Sequence, residues 1–123
     1  MNFEYYFENT EFGLRMHILP NEHIKGDIFM IPAWLESDVQ GSGNYELSSF
    51  KEFIENPEIE EDNFGGNACD VFAKRDFTTI QWEWHDKVPD SCTLPTEMLY
   101  EILKIWVAKK QELREEKMKN ETE

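Results

Sequence analysis

The chain begins with a regular alternation of apolar and polar side chains. One alternating run extends from Phe3 to Phe7, and a second extends from Leu14 to Ile18. A period of two is typical of strands with one buried face. Because the turn-forming segment 9–13 separates the two runs, the pattern predicts an N-terminal β-hairpin.

The next segment is less regular. From Asp27 to Trp34 the chain is apolar on both faces, which predicts a central strand with Pro32 at its end or at a bulge. Segment 35–45 is poor in apolar residues and contains two glycines, so we expect a loop. Ser49 followed by Glu52 is a capping-box pattern, which predicts a short helix that stops before residues 56–57, Asn-Pro.

Alternation returns in the second half of the molecule. It predicts strands around 69–74 and 79–85, joined near residues 75–76, with Trp82 and Trp84 in the core. Residues 87–92 are expected to be a connector. A helix over 94–119, capped by Thr93 or Thr96, would then carry an apolar stripe of Met98, Leu99, Ile102, Leu103, Trp106 and Leu113.

The element order β-β-β-α-β-β-α indicates an α+β fold. We expect a single domain over residues 1–123, with one antiparallel sheet of about five strands and a short helix in the middle of the chain. The long C-terminal helix would pack on one face of the sheet. Residues 110–123 are mostly charged and should form a solvated, fraying helix end.

Cysteine content and the N-terminus bear on the compartment. Cys69 lies in an apolar strand pattern and Cys92 in the polar connector, and two widely separated thiols form neither a disulfide framework nor a zinc site. The acidic N-terminus lacks the features of a signal peptide, and no apolar run is long enough to span a membrane. We therefore expect free thiols, no membrane association and a cytoplasmic protein.

Charge is the strongest functional signal. The net charge is -14, and residues 1–70 contain fifteen acids against three bases. A surface this negative favours a basic macromolecule as partner. Aromatic residues interleave with the acids in this region, which suits a protein interface. The candidate partner-binding residues are Glu52, Glu55, Glu58, Glu60, Glu61 and Asp62, together with Glu36 and Asp38.

Other readings of the chain are less well supported. An acidic run is also typical of a plain solvated loop, and its spacing fails the calcium-binding EF-hand pattern, so we expect no metal and no cofactor. Bases on the C-terminal helix are neutralised by neighbouring acids, which disfavours nucleic-acid binding. Glu83, His85 and Asp86 could form an acid–base cluster of a small hydrolase, but no other feature marks a substrate pocket, and we expect no enzymatic activity.

In size, charge and element order, the whole chain resembles small acidic immunity proteins of bacterial toxin systems, including contact-dependent growth inhibition. The features that carry the resemblance are the aromatic N-terminal hairpin, the acidic stretch from Glu52 to Asp62, the strand Ile80–Trp84 and the C-terminal helix. The resemblance implies binding to a cognate toxin domain, often a basic nuclease, whose active site or substrate cleft is covered. The alternative is a nucleic-acid mimic that inhibits a DNA-binding enzyme.

Overall fold

The computed structural model describes residues 3–66, 68–82 and 91–121. These residues form seven strands and three helices in the order β1 (Tyr5–Thr10), β2 (Gly13–Ile18), β3 (Lys25–Gly26), α1 (Met30–Ser37), α2 (Asn44–Glu55), β4 (Glu61–Asn63), β5 (Cys69–Lys74), β6 (Phe77–Trp82), β7 (Ser91–Pro95) and α3 (Thr96–Glu121). The predicted α+β class is confirmed.

Five of the strands form one antiparallel sheet in the order β3-β7-β6-β5-β4. Its buried face carries Val71, Ile80 and Leu94, which alternate with residues on the opposite face, as a sheet with one covered side requires. The long helix α3 packs on this sheet, and its predicted apolar stripe is buried from Met98 to Trp106, whereas Leu113 is half-buried. The five-stranded sheet and the packed C-terminal helix therefore agree with the prediction.

The N-terminal hairpin is present, but the prediction that its strands join the main sheet is wrong. β1 and β2 form a separate two-stranded sheet. Met16 and Ile18 on the inner face of β2 are buried in the common core, where β2 contacts α1. Within the described residues, the hairpin is thus attached to the rest of the molecule by side-chain packing of β2 against α1, and not by backbone hydrogen bonds to the main sheet.

The predicted central strand over Asp27–Trp34 is also wrong, because this segment turns into helix α1. The Asp27 carbonyl accepts the Met30 amide at 3.0 Å, and its carboxylate accepts the Phe29 amide at 3.0 Å, which starts the turn. Pro32 lies in the first turn of α1, where a backbone N–H has no partner within the helix. Because residues on more than one side of α1 are buried, its sequence is apolar over residues 30–35 and resembles that of a central strand.

Helix α2 begins earlier than the capping-box pattern predicts. It starts at Asn44 after Gly43, which has a φ of 75°, so Ser49 and Glu52 lie inside the helix rather than at its start. Its predicted end is confirmed, since α2 stops at Glu55 before the Asn-Pro pair. Both ends of the predicted 35–45 loop are therefore helical, because residues 35–37 belong to α1 and residues 44–45 to α2.

The end of the predicted 87–92 connector is instead β7, which runs from Ser91 to Pro95. Pro95 therefore belongs to the strand, and α3 starts at Thr96. The Thr96 hydroxyl pairs with the Thr78 hydroxyl at 2.8 Å and donates to the Lys74 carbonyl at 2.6 Å, which ties the helix start to the sheet. α3 continues to Glu121, and the side chains of 114–120 are exposed.

The cysteine and tryptophan predictions have mixed outcomes. Cys69 and Cys92 are both buried and are not joined in a disulfide, but Cys92 lies in β7 rather than in a connector. Trp82 is half-buried and packs against the core, whereas Trp84 lies outside the described residues.

Candidate protein-binding surface

Six of the predicted partner-binding acids fall within one eleven-residue segment, residues 52–62. Glu52 and Glu55 belong to α2, the next two lie in the connector, and the last two start the edge strand β4. All six side chains are exposed, and no Lys or Arg occurs between residues 52 and 62. We call this surface the acidic strip; it consists of Glu52, Glu55, Glu58, Glu60, Glu61 and Asp62.

Contacts at both ends hold the acidic strip in place. At the end of α2, the guanidinium of Arg75 lies 3.8 Å from the ring centroid of Phe53 and donates a hydrogen bond to the Phe53 carbonyl. At the other end, Glu61 pairs in register with Lys74 of β5. Lys74 is exposed and offsets part of the strip's charge, as does Lys51, whose Nζ lies 3.9 Å from Glu55.

The other two predicted acids make intramolecular contacts. Glu36 accepts hydrogen bonds from Arg15 Nε at 3.1 and 3.2 Å, which joins α1 to β2. The Asp38 carboxylate accepts the backbone amides of Ala68 at 3.0 Å and Cys69 at 2.8 Å, which joins the end of α1 to the start of β5. Glu36 and Asp38 therefore connect elements of the fold to one another. That they also contact a partner stays a prediction.

A small cavity opens directly beside the acidic strip. Asn63 and Phe64, which follow Asp62 in the chain, form part of its wall. The cavity has a volume of about 170 Å³. We call it the aromatic pocket; its lining residues are Trp34, Asp38, Tyr45, Glu46, Ser49, Phe50, Asn63, Phe64, Gly65 and Gly66.

The aromatic pocket was only partly visible in the sequence. The interleaving of Tyr45, Phe50 and Phe64 with acids indicated an interface, but it gave no sign that Trp34 shares a cavity with them. Trp34 belongs to α1, which was predicted as a strand. The pocket depends on long-range contacts, such as the one between Asp38 and Ala68 thirty residues later.

The outer face of the main sheet also borders the acidic strip, at Glu61 and Asp62. Phe72 of β5 and Phe77 of β6 are 40% and 55% exposed. Together with Thr79 they line a shallow groove that Glu61 and Asp62 edge. Exposed aromatic side chains beside carboxylates suit the centre and rim of a protein interface.

The alternative chemical sites are only partly covered by the described residues. The proposed hydrolase cluster of Glu83, His85 and Asp86 lies outside them. His17 is partnered by Glu8 at 2.8 Å. Within 3–66, 68–82 and 91–121, no group of three or more His, Cys, Asp or Glu side chains is arranged to hold a metal ion. No helix in the same ranges combines the length and apolar character needed to cross a membrane.

Comparisons with known proteins give no independent identification. Neither the protein-family models, nor the curated proteins, nor the solved structures contain a match to this chain. Its function must therefore be argued from the acidic strip, the aromatic pocket and the adjoining sheet face.

Proposed function

We propose that this protein binds and neutralises a basic protein, as an immunity protein does with its cognate toxin domain. The observation that carries the proposal is the acidic strip, in which six exposed carboxylates run from α2 to the edge of the main sheet. A basic nuclease has a cationic cleft that binds phosphates. Carboxylates in this arrangement would occupy that cleft in place of the nucleic acid.

The surroundings of the strip support a specific complex rather than loose charge attraction. Charge complementarity speeds association and selects partners, whereas buried apolar contacts slow dissociation. The exposed rings of Phe72 and Phe77 and the aromatic pocket both adjoin the end of the strip, since Asn63 lines both sites, and they supply apolar area there. The proposed complex needs no chemistry from this chain.

The experiment is co-expression with the product of the adjacent upstream reading frame, tested for both protection of the host and co-purification. The variant Glu60→Lys, Glu61→Lys, Asp62→Lys reverses the end of the acidic strip. We expect it to lose protection and complex formation while keeping the wild-type circular dichroism spectrum. The physical reason is that a cationic cleft would meet three ammonium groups instead of three carboxylates.

A matched control distinguishes the effect of charge reversal in the acidic strip from the effect of a change in net charge. Glu112→Lys, Glu115→Lys, Glu116→Lys makes the same change in net charge on the exposed end of α3. We expect this control to protect the host as the wild type does. Protection that persists in the strip variant, or that is lost equally in both variants, would contradict the proposed site.

A further inference from the structure

We propose that the aromatic pocket receives an arginine side chain of the basic partner and is the anchor point of the complex. This inference rests on the proposed function and adds to it the chemical group that is recognised. The pocket lies next to Asp62 through its lining residues Asn63 and Phe64. A basic protein drawn to the acidic strip would therefore present its side chains at the pocket entrance.

The size of the pocket matches one long side chain. Sites for drug-sized ligands and cofactors usually enclose about 300–1,000 Å³. The aromatic pocket encloses about 170 Å³, which is too little for a nucleotide. Its volume therefore favours a single inserted residue over a small-molecule cofactor.

The aromatic walls are largely rigid before any partner binds. Trp34 and Phe50 are each 1% exposed, so the surrounding core fixes their positions. Phe50 also packs against Phe64, with ring centroids 5.2 Å apart, and stacks on Tyr100 at 6.0 Å. By contrast, Tyr45 is 80% exposed and stands at the rim. A fixed floor and an exposed rim residue suit insertion of a side chain from outside.

The polar part of the pocket is acidic. Asp38 is held there because its carboxylate accepts hydrogen bonds from the backbone amides of Ala68 and Cys69. Gly66 allows this approach, because a Cβ on Gly66 would lie 2.5 Å from the Asp38 Cγ. Glu46 adds a second half-buried carboxyl group and also acts electrostatically on Lys110 of α3.

Arginine satisfies this combination better than lysine. A guanidinium is planar, stacks on aromatic rings and donates paired hydrogen bonds to carboxylates, whereas an ammonium is a compact and strongly hydrated charge. Four aromatic residues line the pocket, of which Tyr45 is exposed and Phe64 is half-buried, and Asp38 and Glu46 lie beside them. Arginine is also among the residues that most often dominate binding at protein interfaces.

The test uses a small probe and needs no partner protein. N-acetyl-arginine methylamide is titrated into the full-length protein, with the lysine, citrulline and norleucine analogues as comparisons. Two-dimensional NMR spectra follow the amides. We expect saturable, weak binding of the arginine probe, with shifts concentrated at pocket residues, and weaker binding of all three analogues.

Variants at the rim identify the site without disturbing the core. Tyr45→Ala should weaken arginine binding about two- to fivefold, the range of an exposed cation–π contact. Glu46→Gln should weaken it as well. The matched controls are Phe12→Ala and Glu11→Gln, which alter exposed residues at the turn of the β1–β2 hairpin and should leave binding unchanged.

Each result decides the inference. Equal or tighter binding of the lysine probe overturns the assignment to arginine. Chemical-shift changes confined to the acidic strip, or a titration that does not saturate, overturn the assignment of the pocket as the binding site. If the upstream product binds this protein but Tyr45→Ala and Glu46→Gln do not weaken that complex, the pocket is not its anchor point, while the proposed function stands. If the pocket binds arginine but the wild-type protein neither binds the upstream product nor protects the host, the proposed function fails instead.

Discussion

Asp38 connects the fold to the candidate site, and its removal has a calculable effect. Its carboxylate accepts the backbone amides of Ala68 and Cys69 at 3.0 and 2.8 Å. Substitution of Asp38 by Ala would leave both donors without this partner at the start of β5, where Cys69 itself is buried. We expect a large loss of stability together with disorder around the aromatic pocket.

The magnitude follows from the number and type of the lost contacts. A hydrogen bond to a charged group contributes about 1.5–3 kcal/mol. The two bonds to Ala68 and Cys69 are of this kind, but Asp38 is only half-buried, so solvent would replace part of the loss. We therefore expect Asp38→Ala to lower the free energy of unfolding by about 2–4 kcal/mol.

Glu36 provides a matched control two residues away. It is also half-buried, but its partner is the side chain of Arg15, and the two side chains are 24% and 27% exposed. Ion pairs near the surface contribute about 0–1 kcal/mol. Glu36→Ala should therefore cost much less than Asp38→Ala, although both substitutions remove one carboxylate from the same short segment.

Urea unfolding followed by tryptophan fluorescence and circular dichroism measures both variants against the wild type. A common slope with a lower midpoint for Asp38→Ala would report lost stability rather than a changed unfolded state. The reasoning would be refuted if Asp38→Ala cost less than about 1 kcal/mol, or no more than Glu36→Ala.

Three further predictions concern the glycine beside Asp38, a buried thiol and the core. Gly66→Ala should destabilise the protein in urea unfolding, because its Cβ would lie 2.5 Å from the Asp38 Cγ; wild-type stability would contradict this contact. Burial and the charge of Asp27 raise the Cys92 pKa from 9.0 to about 12, so this thiol should react with a disulfide reagent at pH 8 only after unfolding. Because the pKa of Cys92 is higher in the folded than in the unfolded protein, the contribution of this thiol to stability should be complete below pH 9 and should decline between pH 9 and about 12. Urea titrations across this pH range should show a smaller decline for Cys92→Ala than for the wild type. Leu103→Ala, which removes a fully buried side chain of α3, should cost about 2–5 kcal/mol in the same assay, and a cost below that range would place Leu103 outside the tightly packed core.

The elements with one buried face were predictable from sequence. Alternation identified β1, β2, β5 and β6, and the helical stripe identified α3, because each element has a single apolar side that faces the core. The prediction for α1 was wrong because this helix lacks such a single apolar side. It is buried on several sides, so residues 30–35 read as a continuous apolar run that fits a central strand equally well.

The acidic strip could be located from sequence, because consecutive charged residues rarely leave the surface. The distinct roles of Glu36 and Asp38 could not be found in the same way. Each depends on a partner twenty or more residues away, Arg15 for Glu36 and Ala68 for Asp38. The walls of the aromatic pocket were likewise assembled by packing between α1, α2 and the loop after β4.

The most direct test of the central claim is the association rate constant between this protein and the basic upstream product, measured by stopped flow at low and high salt. Attraction by the acidic strip predicts a rate toward about 10⁸ M⁻¹s⁻¹ at low salt that falls steeply as salt is added. Glu60→Lys, Glu61→Lys, Asp62→Lys should associate slowly at every salt concentration, whereas the α3 control should retain the wild-type dependence. A wild-type rate that is insensitive to salt, or a strip variant that associates as fast as the wild type, would contradict the account.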